Sequence, residues 1–224
     1  AHSIMKSASI PISITPLYLP SLRSIHHRLR DPKQSTEFSF TRFLVPYLAG
    51  YSASPVIYLD ADMLVLGDVS QLLEERAPYA PVSVVQCAHT SIEKTKNLGA
   101  TQTNYEKKNW SSLMVFWPQH WDCQHLTPEY VDQASGLDLH QFRWARSMIG
   151  KLPAAWNHLV GHDPEIPPAG LLCLHWTQGG PWWPEYSDVP YADLWWQYHQ
   201  DLETGGRQQW ANMSQQDDRV VVRE

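Results

Sequence analysis

Cysteine is scarce in this sequence: Cys87, Cys123 and Cys173 are the only three in 224 residues. They lie far apart and form no Cys-x-x-Cys pair, which argues against a zinc cluster and against the disulfide-rich scaffold of a small secreted domain. Isolated thiols are typical of proteins kept in a reducing compartment. We therefore expect a cytoplasmic protein.

The sequence also lacks an excess of basic residues and any long apolar run. Its 17 Lys and Arg face 23 Asp and Glu, a net charge of -6, so no basic field favours nucleic acid and we expect no nucleic-acid partner. No apolar stretch approaches the roughly 20 residues that span a bilayer, and no signal sequence opens the chain. We expect no transmembrane segment, and any membrane contact would be peripheral.

What the sequence does contain is an alternation of short apolar runs and helical patterns. Strands are predicted at 56–59, 82–85, 112–116 and 171–174, and helices at 40–48, 68–75, 128–135, 139–148 and 191–202. This order predicts an α/β domain with a mostly parallel sheet flanked by helices, whose ligands bind beyond the carboxyl ends of the strands. We predict a domain over 1–204, a polar C-terminal tail over 205–224, and a mobile active-site loop at 88–109.

Two carboxylates follow the first of these strands directly. Asp60 and Asp62 would stand at the mouth of the sheet, where oxygen ligands can hold a divalent cation that keeps positions for phosphate oxygens. His175 ends the last predicted strand, and Gly179 and Gly180 follow it, where the backbone can approach a diphosphate. One imidazole and two carboxylates suit Mn²⁺ or Mg²⁺. The alternative is that Asp62 caps a turn and Asp60 is a solvated strand end.

These residues belong to a longer resemblance. Ser39-Phe-Thr-Arg-Phe-Leu-Val-Pro-Tyr-Leu48, followed by Val56-Ile-Tyr-Leu-Asp-Ala-Asp62, resembles the donor-site signature of glycosyltransferase family 8, the glycogenin and lipopolysaccharide galactosyltransferase group. The resemblance extends from about Ile10 to Trp183, and the family's first donor-binding strand is not visible, so we expect it to be missing. It implies a GT-A type nucleotide-sugar-binding fold and retaining transfer of a hexose from a nucleoside diphosphate sugar to a saccharide or other hydroxyl acceptor.

The resemblance also implies roles for individual residues. The metal ligands would be Asp60, Asp62 and His175, and Gln141 would contact the transition state. The remaining donor-binding residues would be Arg42, Ala61, Asn109, Ser111, Ser112, Gly179 and Gly180, and 152–157 matches a family Leu-Pro-x-x-x-Asn segment.

Two departures from the family pattern bear on these roles. Gly180 stands where the family has a lysine, which removes a cation that would offset leaving-group charge. Lys94, Lys96, Lys107 and Lys108 are candidates to replace it, or form a solvated charge run. The segment around Gln141 lacks the usual acidic residues, so Gln141 is the weaker assignment.

Two other functions compete with transfer. One is an aspartate-nucleophile phosphatase, in which a strand also ends in Asp-x-Asp, although Leu64 stands where that family has Thr or Val. The other is a non-catalytic carbohydrate-binding protein with the same fold.

Overall fold

The computed structural model describes residues 1–29, 38–87 and 107–217, and beyond residue 205 it describes the backbone of a helix but not its side chains. The predicted loop at 88–109 falls mostly outside these residues, as do Lys94 and Lys96.

The described residues form short strands and mostly short helices. The strands are β1 (Val56–Leu59), β2 (Met63–Val65), β3 (Val82–Val85), β4 (Leu113–Phe116), β5 (Ile149–Leu152), β6 (His158–Leu159) and β7 (Cys173–His175). The α-helices are α1 (His2–Ser7), α2 (Val45–Leu48), α3 (Gln71–Glu75), α4 (Trp121–Gln124), α5 (Pro128–Gln133), α6 (Gly136–His140) and α7 (Ala192–Asp217). Among the 3₁₀ segments are Thr41–Leu44, Trp110–Ser112 and Ala154–Asn157.

The larger sheet has the strand order β1-β4-β3-β5. β4 runs antiparallel to both of its neighbours, and β3 pairs in parallel with β5. Hence β1, β3 and β5 all point the same way, and β4 is the reversed strand among them. The predicted α/β class, with sheets flanked by helices, is confirmed. The sheet expected to be mostly parallel is mixed, because β4 pairs antiparallel with both of its neighbours.

A smaller sheet has the order β2-β7-β6. β2 runs antiparallel to β7, with Met63 opposite His175, and β6 runs parallel to β7. Sequence patterns did not predict β2, β5 or β6, because strands of two to four residues show too few positions for an alternation to be recognised.

Apolar side chains fill three layers around these sheets. Along β4, Met114 and Phe116 pack into one cluster with Phe43, whereas Leu113 and Val115 point to the opposite face. That opposite face is shared with the smaller sheet, through its residues Val65 and Cys173. The other face of the smaller sheet packs against α7 through Leu64, Leu174 and Trp195. The alternation of side chains along each strand therefore joins the two sheets back to back.

Several predicted helices have different bounds in the structure. The predicted helix at 139–148 is wrong: α6 runs from Gly136 to His140, because the Ser135 side chain caps its start, and the chain then turns through Phe142 at φ 56°. Gly136, the residue after the predicted helix at 128–135, starts α6. The predicted helix at 40–48 is a 3₁₀ turn followed by α2, whose second residue, Pro46, has no N–H to continue a ladder back to Arg42.

The last helix is longer than its sequence pattern predicts. α7 runs without a break through Asp217, so it crosses residue 205, where we expected a polar tail to begin. The domain boundary there stays a prediction. No helix in the described ranges is both long enough and apolar enough to cross a membrane.

Candidate active site

The segment between β1 and β2 carries both aspartates and is fixed at each end by a different sheet. The Asp60 N–H donates to the carbonyl of Ser112, which continues the β1–β4 ladder, at 2.9 Å. The Asp62 carbonyl accepts from the N–H of Trp176, just after β7, at 3.1 Å. The carboxylates therefore lie where the two sheets meet.

His175 reaches the same place from the smaller sheet. One ligand atom each from Asp60, Asp62 and His175 lie within 4.8 Å of one another. The His175 side chain is buried, and its Nε2 atom lies 3.4 Å from Oδ1 of Asp62. This Oδ1 atom is itself buried and has no hydrogen-bond partner among the described residues. The three residues singled out as metal ligands are thus brought together.

The hydrogen bond at Nδ1 of His175 determines whether the Nε2 atom of a neutral ring carries a proton or a lone pair. Nδ1 lies 2.8 Å from Oδ1 of Asn157, an oxygen that only accepts hydrogen bonds, so Nδ1 is the donor. A neutral His175 ring then carries its lone pair on Nε2, pointing at a carboxylate oxygen. Two acceptor atoms facing each other in a buried place are stabilised by a cation between them. The donor set of one imidazole and two carboxylates fits Mn²⁺ or a similar ion.

The pKa of Asp62 belongs to the metal-free state, in which a proton on His175 Nε2 takes the place of the ion. Burial by itself would raise the pKa of the Asp62 carboxyl, but the hydrogen bond and charge of the protonated His175 ring and, more weakly, Arg42 outweigh it and bring this pKa below its usual value. Asp62 is therefore ionised at neutral pH, the state in which a carboxylate binds a metal.

Asp60 is held by two side chains from within the domain. Arg42 approaches it with both terminal nitrogens, NH2 at 2.8 Å from Oδ1 and NH1 at 3.1 Å from Oδ2. The Tyr58 hydroxyl donates to Oδ1 at 2.6 Å. Burial, followed by the charge of Asp60, raises the Tyr58 pKa, so the hydroxyl keeps its proton and remains a donor. A two-point contact of this kind fixes both the position and the plane of the carboxylate.

The structure places Arg42 behind Asp60, with its guanidinium buried. The guanidinium also donates to the Ser111 carbonyl at 2.9 Å. Ser111 and Ser112 are themselves buried. The Ser111 hydroxyl lies 2.9 Å from Nδ1 of His140, the last residue of α6. This network connects Asp60 to the residue directly before Gln141.

Gln141 and Asn109 are connected to the site less directly. The Gln141 carbonyl accepts from Nζ of Lys107 at 2.9 Å, which links it to the segment that carries Asn109. Asn109 is in the left-handed conformation, with φ 64°, and its carbonyl accepts from the side chain of Asn157. Gln141 makes no hydrogen bond to Asp60, Asp62 or His175 within the described ranges.

The two glycines after β7 are packed against aromatic rings. A side chain at Gly179 would overlap the Tyr186 ring, and one at Gly180 would overlap the Trp182 indole. Neither glycine bonds to the metal-ligand residues in the part of the chain that the structure describes. Glycine thus stands at position 180, where the family resemblance implies a lysine, and the Trp182 indole packs against it.

Three residues in this network were not placed in the site from the sequence. Tyr58 was assigned only to a strand, His140 to no role, and Asn157 only to a family segment. The signal for Tyr58 was available, because side chains two apart on a strand share a face. Nothing local signals that Asn157 meets His175.

With this geometry established, the chain can be placed among known proteins. Its fold is the GT-A fold of nucleotide-sugar-dependent glycosyltransferases. The glycosyltransferase GlyE of Streptococcus pneumoniae superimposes with a TM-score of 0.50 at 18% identity, over 71% of this chain and 42% of that one. The bifunctional glycosyltransferase WbbM superimposes with a TM-score of 0.51 at 16% identity, over 78% of this chain and 39% of that one. The chain thus spans less than half the length of these structural relatives.

The sequence profile of Glycosyl transferase family 8 matches residues 2–141, so the chain belongs to this family, as the resemblance implied. Protein CDI of Arabidopsis thaliana is 39% identical over 200 residues, which cover 87% of this chain and 77% of that protein.

Proposed function

We propose that the chain is a metal-dependent retaining glycosyltransferase domain that moves a hexose from a nucleoside diphosphate sugar to a hydroxyl acceptor, with Mn²⁺ or Mg²⁺. The observation that carries this proposal is the buried Asp62 Oδ1, which has no hydrogen-bond partner among the described residues and faces the Nε2 atom of His175 at 3.4 Å. Family membership supplies the reaction class.

In this proposal Asp60, Asp62 and His175 hold the ion, and two of these ligands, Asp60 and His175, are oriented by other side chains. Arg42 and Tyr58 fix the plane of the Asp60 carboxylate, and Asn157 fixes the His175 ring. A bound divalent ion supplies Lewis-acid stabilisation of the charge on the departing diphosphate.

The reaction exchanges one bond to the anomeric carbon. The bond to the diphosphate oxygen breaks, the bond to the acceptor oxygen forms, and the products are the glycoside, the nucleoside diphosphate and a proton. Asn109 and Gln141 are proposed to contact the donor sugar, and the backbone at Gly179 and Gly180 the diphosphate. A saccharide is the proposed acceptor, and the free thiols of Cys87, Cys123 and Cys173 support a cytoplasmic location.

The competing phosphatase fits the geometry poorly. Its first aspartate must act as a nucleophile on phosphorus, and pairing with a guanidinium weakens a carboxylate as a nucleophile. Here Oδ1 of Asp60 contacts Arg42 and Tyr58, and Oδ2 contacts Arg42 again. The carboxylate is thus held as a fixed ligand.

The test is release of nucleoside diphosphate from a panel of nucleotide sugars, with and without Mn²⁺. We expect Mn²⁺-dependent release that falls by more than about 100-fold in Asp62→Asn, because a ligand charge is lost while the fold stays intact. Asp193→Asn, an exposed change in the first turn of α7, is the charge-matched control and should keep full activity. Equal turnover in Asp62→Asn and the control would contradict the site. Sugar binding without release from any donor would favour the carbohydrate-binding alternative.

A further inference from the structure

One buried carboxamide connects the metal-binding histidine to the segment expected to contact the donor sugar. Asn157 ends a 3₁₀ turn just before β6 and is 2% exposed. Its Oδ1 atom lies 2.8 Å from Nδ1 of His175. Its Nδ2 atom donates to the Asn109 carbonyl at 3.2 Å and to the Cys87 sulfur at 3.7 Å.

These partners settle which way the amide points. The Asn109 carbonyl can only accept, so the amide nitrogen has to face it. The amide oxygen therefore faces His175, and the proton of a neutral His175 ring has to be on Nδ1. The reverse tautomer would place two acceptors in contact on the Asn157 side and would remove the lone pair from the Asp62 side.

The nitrogen side of the same amide joins two separate parts of the chain. Cys87 follows β3, and Asn109 precedes β4 by way of the 3₁₀ turn at Trp110–Ser112. The Trp110 indole N–H donates to the Cys87 carbonyl at 3.0 Å, a second link between the same two parts. Asn109 thus has its backbone fixed to Cys87 and to His175 through one side chain.

From this geometry we infer that Asn157 is a positioning residue that holds His175 in the tautomer able to bind the metal and, through its nitrogen, couples that histidine to the placement of Asn109. This inference rests on the proposed function for the identity of the metal and the donor. Loss of a hydrogen bond behind a metal-binding histidine typically lowers metal affinity by about 10- to 100-fold. Changes at Asn157 should therefore affect metal binding without removing a ligand.

The first measurement needs neither metal nor turnover. In protein labelled with ¹⁵N-histidine at alkaline pH, where the ring is neutral, the nitrogen chemical shifts of His175 report its tautomer, with His175→Gln assigning the signal. We expect the proton on Nδ1 in the native protein and a mixture of tautomers in Asn157→Leu. A native ring with its proton on Nε2 would overturn the inference. Because no metal is involved, this result is independent of the transferase proposal.

The second measurement is Mn²⁺ affinity by calorimetry. We expect Asn157→Leu to weaken it by about 10- to 100-fold. Gln86→Leu is the matched control: Gln86 is a half-buried amide next to Cys87 that donates to the Ile149 carbonyl, and its loss should leave Mn²⁺ affinity unchanged. Equal Mn²⁺ affinity in Asn157→Leu and native protein, both folded by circular dichroism, would contradict the positioning role.

Asn157→Asp tests the oxygen and the nitrogen of the amide separately. A carboxylate still accepts from His175 but cannot donate to Asn109 or Cys87. We expect this variant to keep the Nδ1–H tautomer and its Mn²⁺ affinity while the KM for the donor, or its Kd by calorimetry, rises by at least about 10-fold. Donor affinity equal to that of the native protein would show that the coupling to Asn109 is absent.

Discussion

The two aspartates between β1 and β2 have different surroundings, although only Ala61 separates them. Asp60 faces a guanidinium and a protonated tyrosine hydroxyl, so its charge is neutralised within the protein. Asp62 faces the Nε2 atom of His175 at 3.4 Å, which carries a lone pair in the neutral ring, so a bound cation would neutralise its charge. At the scale of residues, Asp60 is thus expected to matter for both stability and binding, and Asp62 mainly for binding.

This difference gives a paired prediction. Asp60→Asn breaks a buried ion pair, and we expect it to lower the free energy of unfolding by about 3 kcal/mol, because the Arg42 guanidinium loses its counter-charge. Asp62→Asn removes a carboxylate whose side chain is 38% exposed and whose nearest partner, His175, lies 3.4 Å away, so the free energy of unfolding should change by less than about 1 kcal/mol. Urea unfolding without metal measures both. Equal losses in the free energy of unfolding for Asp60→Asn and Asp62→Asn would show that the ion pair with Arg42 does not make Asp60 the more stabilising of the two.

In the segment after β7, a tryptophan ring occupies the space beside Gly180, where the family resemblance implies a lysine. Trp182 packs over Gly180 and also contacts the rings of Trp176 and Trp195. This packing joins the segment to β7 on one side and to α7 on the other. The ring thus excludes a side chain at position 180, and the segment can present only backbone groups there.

Gly180→Ala tests that packing. Its added Cβ would overlap the Trp182 indole, so we expect a loss of about 1 to 3 kcal/mol in stability. The loss should shrink when the same change is made in a Trp182→Ala background, because the obstructing ring is gone. Gly170→Ala is the matched control, since a Cβ there meets only Ile166 at 3.6 Å. An unchanged Tm for Gly180→Ala would mean that the ring moves aside freely.

For the molecule as a whole, the site depends on two sheets packed back to back. Leu113 and Val115 of the larger sheet share one apolar cluster with Val65 and Cys173 of the smaller one. This cluster sets the distance between β1 and β7, and with it the distance from Asp60 to His175. Global stability therefore bears on metal affinity, and conditions that loosen the fold should weaken binding.

Asp122 gives the global stability a pH dependence that can be measured. It is 4% exposed and accepts from the N–H and hydroxyl of Ser147 at 3.0 and 2.7 Å. Burial alone would raise the pKa of Asp122, but these bonds and His120 outweigh it and leave the pKa below its usual value. This stabilisation is present above the unfolded-state pKa of about 3.9 and is lost as the pH falls through the folded-state value.

We expect Asp122→Asn to lower the free energy of unfolding by about 1 to 3 kcal/mol at neutral pH. The difference in the free energy of unfolding between Asp122→Asn and the native protein should shrink on acidification. The native Asp122 carboxylate is then protonated and, like asparagine, carries no charge. Urea unfolding across this pH range measures the effect. A gap of constant size at every pH would show that the loss comes from packing and not from the charge.

The sequence by itself determined the parts of this protein that depend on neighbouring residues. A β-branched apolar run ending at Asp60 predicts a strand with carboxylates at its end, and the run before His175 predicts the buried strand β7. β1 was expected to be buried but is half-buried, because it is the edge strand of its sheet. The predicted helix at 139–148 failed because the Ser135 cap and the turn at Phe142 outweigh helical spacing. Tertiary structure alone decided which groups meet across the fold: Arg42 with Asp60, Asn157 with His175, and Trp182 over Gly180. The physical reason is that a strand forms where its own side chains favour one, whereas the partner of a buried polar group is set by how separate elements pack.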